Sequence, residues 1–522
     1  MSYFSSFFLL SVVILISNII STQCITHHDM PPKLILISFD GFRSDYLNPK
    51  VTPFMYSLAQ KGVIATHMKS LFVTKTFPNH FSIVTGLYEE AHGIVHNYMY
   101  DPKFNETFGP RNTQAKWWDN GKSIPIWVAN EIYNDDLPRF SGVSMWPGSA
   151  APIAHRLSKY VQQYNSSLTW ESRMDTLINW LTREKDPANL AIIYFNQPDY
   201  TAHFYGPFSQ QVREQVIRAD NIVKYLVNRL RISGILPHTN MIIVSDHGMA
   251  EVKRDRVTLL DDLIDPNLYQ IYGYTPNYGI IPKPGNFDKV FNILKQKSQT
   301  HHFTVYRKEE VPLEYHYRDN RRIQPIIIVA EEGWEIFQKS EDMKHLTGDT
   351  WGDHGYNNSL PSMRPLFMAS GPAFRSGYIH EGEFENIDIY PMMCLILRLL
   401  PIKRFPSDGS SDRISAMLKP VSLLKTKSDT DEWFPFLFII FTVCTIIVSG
   451  GACFVFCAGF GRRRPKPYFT VESDVVDIDL AAHIEEMQST SAERYHPQRL
   501  YPKHSSSEEY HLLTYSEDEE IS

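Results

Sequence analysis

Three strongly apolar runs in this chain each lead to an acidic residue or to an acid and a histidine. Leu34–Ser38 runs into Asp40, Leu190–Phe195 into Asp199 and His203, and Met241–Ser245 into Asp246 and His247; a further segment, Gly348–Tyr356, adds His354. Short apolar runs of this kind read as buried strands. Where such strands lie side by side in an open α/β sheet, their carboxyl ends form one crevice. Aspartates and histidines far apart in sequence can therefore meet there. Mixed carboxylate and imidazole donors in that number have the composition of a binuclear metal site.

Between these runs the hydrophobic period becomes helical. Phe54, Met55, Leu58 and Ala59 fit one helix face over Thr52–Lys61, and Arg173–Thr182 reads as a helix before the second run. Gln210–Arg231 reads as a long amphipathic helix before the third, with Val212, Val216, Ile222 and Leu226 among its apolar positions. This alternation predicts an α/β fold, a central, mostly parallel sheet flanked by helices. Later strands are expected at Ile326–Ala330 and Leu366–Ala369, and a closing helix at Asn386–Leu400. The less regular stretch 285–325, with a helix pattern at Phe287–Gln299 and a strand pattern at Thr304–Tyr306, predicts a small inserted subdomain.

The two ends carry targeting signals. Phe7–Ile20 followed by small and polar residues to Cys24 reads as a signal peptide over 1–24. Residues 433–460 hold no charge and are long enough to span a bilayer as one transmembrane helix. Arg462, Arg463, Arg464 and Lys466 follow, which places that end in the cytoplasm. The expected organisation is a catalytic ectodomain at 25–402, a polar stalk at 403–432, the span, and a tail at 461–522. That is a single-pass type I protein of the plasma membrane with its large domain outside. Of five cysteines only Cys394 is securely in the mature ectodomain, so core burial rather than disulfides must hold the domain. Sequons at Asn105, Asn165 and Asn357 fall on the outer side and are expected glycosylation sites. The net charge of −7 comes without a basic stripe, so no nucleic-acid partner is expected.

Each chemical motif has a plain reading beside the functional one. Asp199 and His203, at i and i+4, would share a helix face and grip one ion, although such pairs also occur on solvated helices. Asp246-His247-Gly248 can aim both side chains into a crevice, with Gly248 allowing a sharp bend; a turn aspartate beside a surface histidine is the alternative. Asp353 could orient His354 or merely make a turn. Thr74–His80 looks like a helix start, with Thr76 at or near the cap and Pro78 in the first turn. Thr76 is then a capping residue or a nucleophile at a helix end whose N–H groups suit a phosphate.

Asp40-Gly-Phe-Arg, Lys75-Thr-Phe-Pro-Asn-His, Thr85-Gly-Leu-Tyr, Ala91-His-Gly-Ile, Trp146-Pro-Gly-Ser, Asp199-x-x-x-His203, Ser245-Asp-His-Gly-Met and Gly352-Asp-His-Gly-Tyr occur in this order. Together they resemble the ectonucleotide pyrophosphatase/phosphodiesterase family of the alkaline-phosphatase-like superfamily, over roughly residues 32–400. The chain looks like its short, type I, single-domain subgroup. The resemblance implies two zinc ions, one held by Asp40, Thr76, Asp246 and His247 and the other by Asp199, His203 and His354. It implies attack of Thr76 on phosphorus, a threonyl intermediate, and Asn97 as a donor to a phosphate oxygen. Phe77 and Tyr164 match the pair that sandwiches the base in nucleotide-directed members. The expected activity is hydrolysis of extracellular nucleotides (ATP, ADP, NAD or dinucleoside polyphosphates) to nucleoside 5′-monophosphates. Two other readings stand beside it: a choline-phosphate or lysophospholipid phosphodiesterase, and a non-catalytic receptor or adhesion ectodomain.

Overall fold

The structure, a computed structural model, describes residues 30–420 apart from 135–136, 345, 347 and 401–404. The expected signal peptide, membrane span and tail lie outside the described residues. Among the described residues no helix is long and apolar enough to cross a membrane.

The domain is built on an eight-stranded sheet. Its strands are β1 (Lys33–Phe39), β2 (Val63–Ala65), β3 (Ser141–Ser144), β4 (Tyr160–Gln162), β5 (Leu190–Phe195), β6 (Thr239–Val244), β7 (Phe367–Ser370) and β8 (Tyr378–His380), in the spatial order β8-β2-β7-β6-β1-β5-β3-β4. β1 lies at the centre, parallel to β5 on one side and β6 on the other. Side chains alternate across a strand, and both faces of β1 are covered. Leu34 and Leu36 enter one core, and Ile35, Ile37 and Phe39 enter the other. This two-sided burial explains why the central strands read as continuous apolar runs. The sheet is mixed rather than wholly parallel, because β7 runs antiparallel to both β2 and β6.

Helices cover each face. On the side of Ile35 lie α1 (Pro53–Lys61), α3 (Trp170–Thr182) and the long α5 (Gln210–Ile232). The hydroxyls of Thr169 and Ser209 cap α3 and α5 by accepting backbone N–H bonds from Ser172 and Val212. On the other side lie α2 (Thr76–Thr85) and a closing helix of Ile389–Leu397, and Cys394 is buried among their apolar residues. Burial pushes the Cys394 thiol pKa up and keeps it neutral. The closing helix is shorter than expected at both ends. Asn386–Asp388 forms a 3-10 turn before it, and Arg398 turns left-handed after it.

Two expectations need correction. The strand expected at Ile326–Ala330 is present with those bounds, but it lies outside the main sheet. It belongs to a four-stranded antiparallel sheet with Tyr269–Tyr274, Asn277–Pro282 and Phe303–Arg307, backed by the helix Phe287–Lys297. The inserted subdomain is therefore larger than 285–325. The polar stretch from 403 does not begin as a free stalk. Ile414 and Met417 are fully buried, Arg413 pairs with the buried Asp388, and the Lys419 N–H donates to the Ala373 carbonyl. Polar composition hid a few well-spaced apolar anchors; residues 421–432 lie outside the described residues.

The segment before Ile326 is tied to the main body by a buried charge cluster. Asp101 accepts bonds from Arg321 and Arg322, and Arg322 also donates to the Gly93 carbonyl at 2.6 Å and the Trp117 carbonyl at 3.0 Å. Burial opposes the charged form of Asp101, but the two guanidiniums win and hold its pKa at about 2. A carboxyl depressed in the folded state contributes stability that is present above its unfolded value and lost as pH falls. Removing one member of a buried pair costs about 3 kcal/mol or more. Asp101→Ala is therefore expected to destabilise the protein by about that amount in urea melts at pH 7. The parent should lose this advantage as pH falls from 3.8 toward about 2, and an equal stability of the two proteins at pH 7 would contradict it.

Candidate active site

Because β1, β5 and β6 run parallel, their carboxyl ends sit together. Asp40 follows β1 directly, Asp199 opens the short helix Asp199–Tyr205 after β5, and Asp246 and His247 follow β6. The Asp199 N–H donates to the Asp40 carbonyl at 3.1 Å, which joins the first two segments. His354 arrives by another route. Thr350–Asp353 pairs antiparallel with Ala250–Lys253, the strand just past His247, so the chain returns to the same crevice.

All seven expected donors meet in one cluster. His247 Nε2 lies 2.9 Å from Asp246 Oδ2, 3.3 Å from Asp40 Oδ1 and 3.3 Å from the Thr76 hydroxyl. The His354 ring stacks on His247 with centroids 3.5 Å apart, and its Nε2 is 3.5 Å from Asp199 Oδ1. His203 Nε2 is 3.4 Å from Asp199 Oδ2. Donor atoms of Asp40, Asp246 and His247 fall within 4.8 Å of one another, as do those of Asp199, His247 and His354. The first group holds three of the four donors expected around one ion. In the second, His247 stands beside Asp199 and His354, while His203 groups with Asp353 and His354.

The donor chemistry fits metal cations on two observations. Asp40 Oδ1, Asp199 Oδ1 and Asp246 Oδ2 are buried with no hydrogen-bond partner. In addition, Nδ1 of His203, His247 and His354 each faces a backbone carbonyl, of Gly352, Gly248 and Thr74, at 2.7 to 2.9 Å. A carbonyl only accepts, so each Nδ1 carries a proton and each Nε2 is the ring nitrogen that faces the cluster, able to ligate once it is unprotonated. The electrostatics agree. Burial, then Asp246 and Asp199, raises the Asp40 pKa. Asp246 stays low although burial opposes it, because His247 and His80 sit beside it. Burial also opposes a charged His203, but Asp199 prevails and lifts its pKa to about 9.

Thr76 is the first residue of α2, with Lys75 at the N-cap position and no side-chain cap bond. Its carbonyl faces His80 Nδ1 at 2.8 Å. Asn97 Oδ1 accepts the Phe77 N–H at 2.8 Å, which fixes the amide so that Nδ2 is its remaining donor group. The Phe77 ring packs against Trp118 and Phe108. Tyr164 lies beyond β4 and is 58% exposed. The three sequon asparagines are exposed. Sequence reasoning gave no role to Tyr194, whose hydroxyl donates to Asp40 Oδ2 at 2.6 Å, or to His80, 3.3 Å from Asp246. Tyr194 was visible as the one hydroxyl in an otherwise apolar strand. Asp353 orients His354 through the backbone, accepting its N–H at 2.6 Å.

The sequence matches the family model of type I phosphodiesterase / nucleotide pyrophosphatase over residues 34–357. The chain belongs to the ectonucleotide pyrophosphatase/phosphodiesterase family. It is 42% identical over 475 residues to bis(5′-adenosyl)-triphosphatase ENPP4 of Homo sapiens, covering 90% of this chain and 99% of that one. It is 38% identical over 417 residues to ectonucleotide pyrophosphatase/phosphodiesterase family member 5 of Homo sapiens, covering 79% and 83%. Among solved structures, murine ENPP5, an inactive variant in complex with AMP, superposes with a TM-score of 0.69 at 36% identity, covering 74% of this chain and all of that one. This family member is thus an enzyme with the α/β fold of its relatives.

The groups behind the donors generate a prediction. Tyr194→Phe removes the bond that orients Asp40, and loss of such a partner weakens metal affinity about tenfold or more. Chelator competition on the purified protein reads this; unchanged affinity would contradict it. Because His203 must shed its proton to bind a cation, affinity in the metal-free protein is expected to rise with pH up to about 9. A pH-independent affinity over that range would contradict the assignment.

Proposed function

We propose that this family member hydrolyses extracellular nucleotides, with dinucleoside polyphosphates, ATP, ADP and NAD as candidates, to nucleoside 5′-monophosphates. The observation that supports it most is the Thr76 hydroxyl at the start of a helix, 3.3 Å from His247 Nε2. That ring lies within a cluster of aspartates and histidines whose Nε2 atoms face inward. The name of the ENPP4 relative favours bis(5′-adenosyl) triphosphate as the first substrate to try.

Asp40, Thr76, Asp246 and His247 would hold one zinc ion, and Asp199, His203 and His354 the other. Two such ions supply Lewis acidity to phosphoryl oxygens and make the threonine hydroxyl more acidic. Thr76 Oγ forms a bond to phosphorus while the bond to the leaving oxygen breaks, giving a threonyl ester. Water then attacks the same phosphorus, the bond from phosphorus to Thr76 Oγ breaks, a proton from the water restores the threonine hydroxyl, and the nucleoside monophosphate leaves. The Thr76 N–H at the start of α2 and Asn97 Nδ2, the donor left on an amide whose Oδ1 accepts the Phe77 N–H, would face the phosphoryl oxygens. Phe77 and Tyr164 offer two aromatic faces to the base, which stack regardless of its identity. The signal-like 1–24 and the apolar 433–460 support a type I plasma-membrane protein with this site outside the cell.

Thr76→Ala is expected to lower the rate of bis(5′-adenosyl) triphosphate and nitrophenyl-nucleotide hydrolysis by about a thousandfold or more, with zinc still bound. Undiminished turnover would reject the nucleophile, and no turnover in the zinc-loaded parent would reject the activity. Tyr164→Ala should raise KM for nucleotides about tenfold. It should leave a nitrophenyl choline-phosphate ester unaffected; an equal effect on both would remove Tyr164 from base recognition.

A further inference from the structure

Lys75 is a buried cation at the edge of the site. Its side chain is 2% exposed, immediately before the proposed nucleophile. Its Nζ is held by other parts of the chain. It donates to the Thr275 carbonyl at 2.7 Å and lies 3.3 Å from Asp353 Oδ1. That same Asp353 oxygen accepts the N–H of His354 at 2.6 Å. The His354 ring is fixed in turn to the Thr74 carbonyl at 2.7 Å, and the Gly355 N–H to the Thr74 hydroxyl at 2.8 Å. Asn277 Nδ2 closes the arrangement on the Gly355 carbonyl at 2.6 Å. Three segments remote in sequence, 74–76, 275–277 and 353–355, are thus held together around one ammonium group.

Charge explains why an ammonium is needed there. Asp353 is 2% exposed, with the buried Glu335 as a neighbour. Burial, and then the nearby Asp353, raises the Glu335 pKa, so the two carboxyl groups crowd one another beside the Lys75 ammonium. A buried carboxylate without a cation costs several kcal/mol, and removing one partner from a buried pair leaves that cost uncompensated. His203, Asp353 and His354 could hold an ion by geometry, but Lys75 already supplies the positive charge on this side.

We propose that Lys75 is a positioning residue: by neutralising Asp353 it keeps that carboxylate docked on the His354 backbone, and so sets His354 against the Thr76 end of α2. The inference rests on the proposed function, in which His354 is a zinc ligand and Thr76 the nucleophile. It separates Lys75 from a role in contacting substrate phosphates.

The test uses the purified full-length protein, loaded with zinc for kinetics and with cobalt for its visible ligand-field spectrum. Lys75→Met is expected to lower kcat about a hundredfold, as small misplacements of reacting groups do, to leave KM about unchanged, and to alter the cobalt spectrum. Adding Asp353→Asn in the same chain removes the stranded charge while keeping an acceptor for the His354 N–H. That double variant should regain at least about tenfold in kcat and the parent spectrum, since a buried pair is replaced far more readily than broken. Three results would overturn the proposal: a parent-like kcat and spectrum in Lys75→Met, a raised KM with kcat kept, or losses that simply add in the double variant. If Lys75→Met fails to fold, a folded double variant with the parent spectrum supports the proposal and an unfolded one overturns it. A parent that hydrolyses nothing rejects the proposed activity, while the cobalt spectra still report whether Lys75 positions His354.

Discussion

Three carboxylates, the buried Asp40 and Asp246 and the partly buried Asp199, brought together at the ends of adjacent parallel strands, are the constraint to which the rest of the site answers. Like charges at this spacing in a low-dielectric crevice repel strongly. The raised pKa of Asp40 records that repulsion together with its burial. The fold meets the problem in graded ways. Tyr194 donates to Asp40, Ser245 and the Gly41 N–H donate to Asp246, and His80 and His247 flank Asp246. What these neighbours leave unmet is one oxygen on each of the three carboxylates. Buried polar atoms are almost always satisfied in folded proteins, so three orphans sharing one crevice define a demand for cations.

The scaffold makes such a concentration of charge tolerable. β1 is buried on both faces and held in register by β5 and β6, so the ends of three strands cannot drift apart without disturbing two cores. The helix end at Thr76 and the His354 loop are then positioned against this edge by polar contacts. The backbone carbonyls of Thr74, Gly248 and Gly352 each fix one imidazole. Packing therefore fixes the aspartates, and hydrogen bonding fixes the groups that face them.

Much of this was legible in the sequence because its signals are local. A strand buried on both sides must be apolar throughout, so an abrupt Asp or Asp-His at its end stands out, and the order of the motifs did the rest. Helix α5 was readable from its apolar stripe, nearly to its ends. What could not be read depended on contacts distant along the chain. Nothing in Ile326–Ala330 tells a strand of the main sheet from one in a smaller antiparallel sheet, since both bury the same residues. Ile414 and Met417 are isolated apolar residues in a polar stretch, and only their packing shows that the domain continues past 403. Lys75 looked like an ordinary basic residue in a motif; its role depends on Asp353, far along the chain.

The most direct measurement is anomalous diffraction at the zinc absorption edge from crystals of the zinc-loaded protein. Two peaks are expected, one enclosed by Asp40, Asp246, His247 and the Thr76 oxygen, the other by Asp199, His354 and His203, each on the Nε2 side of its histidines. Density lacking any such peak, or with the imidazoles turned to present Nδ1 instead, would contradict the account at its centre.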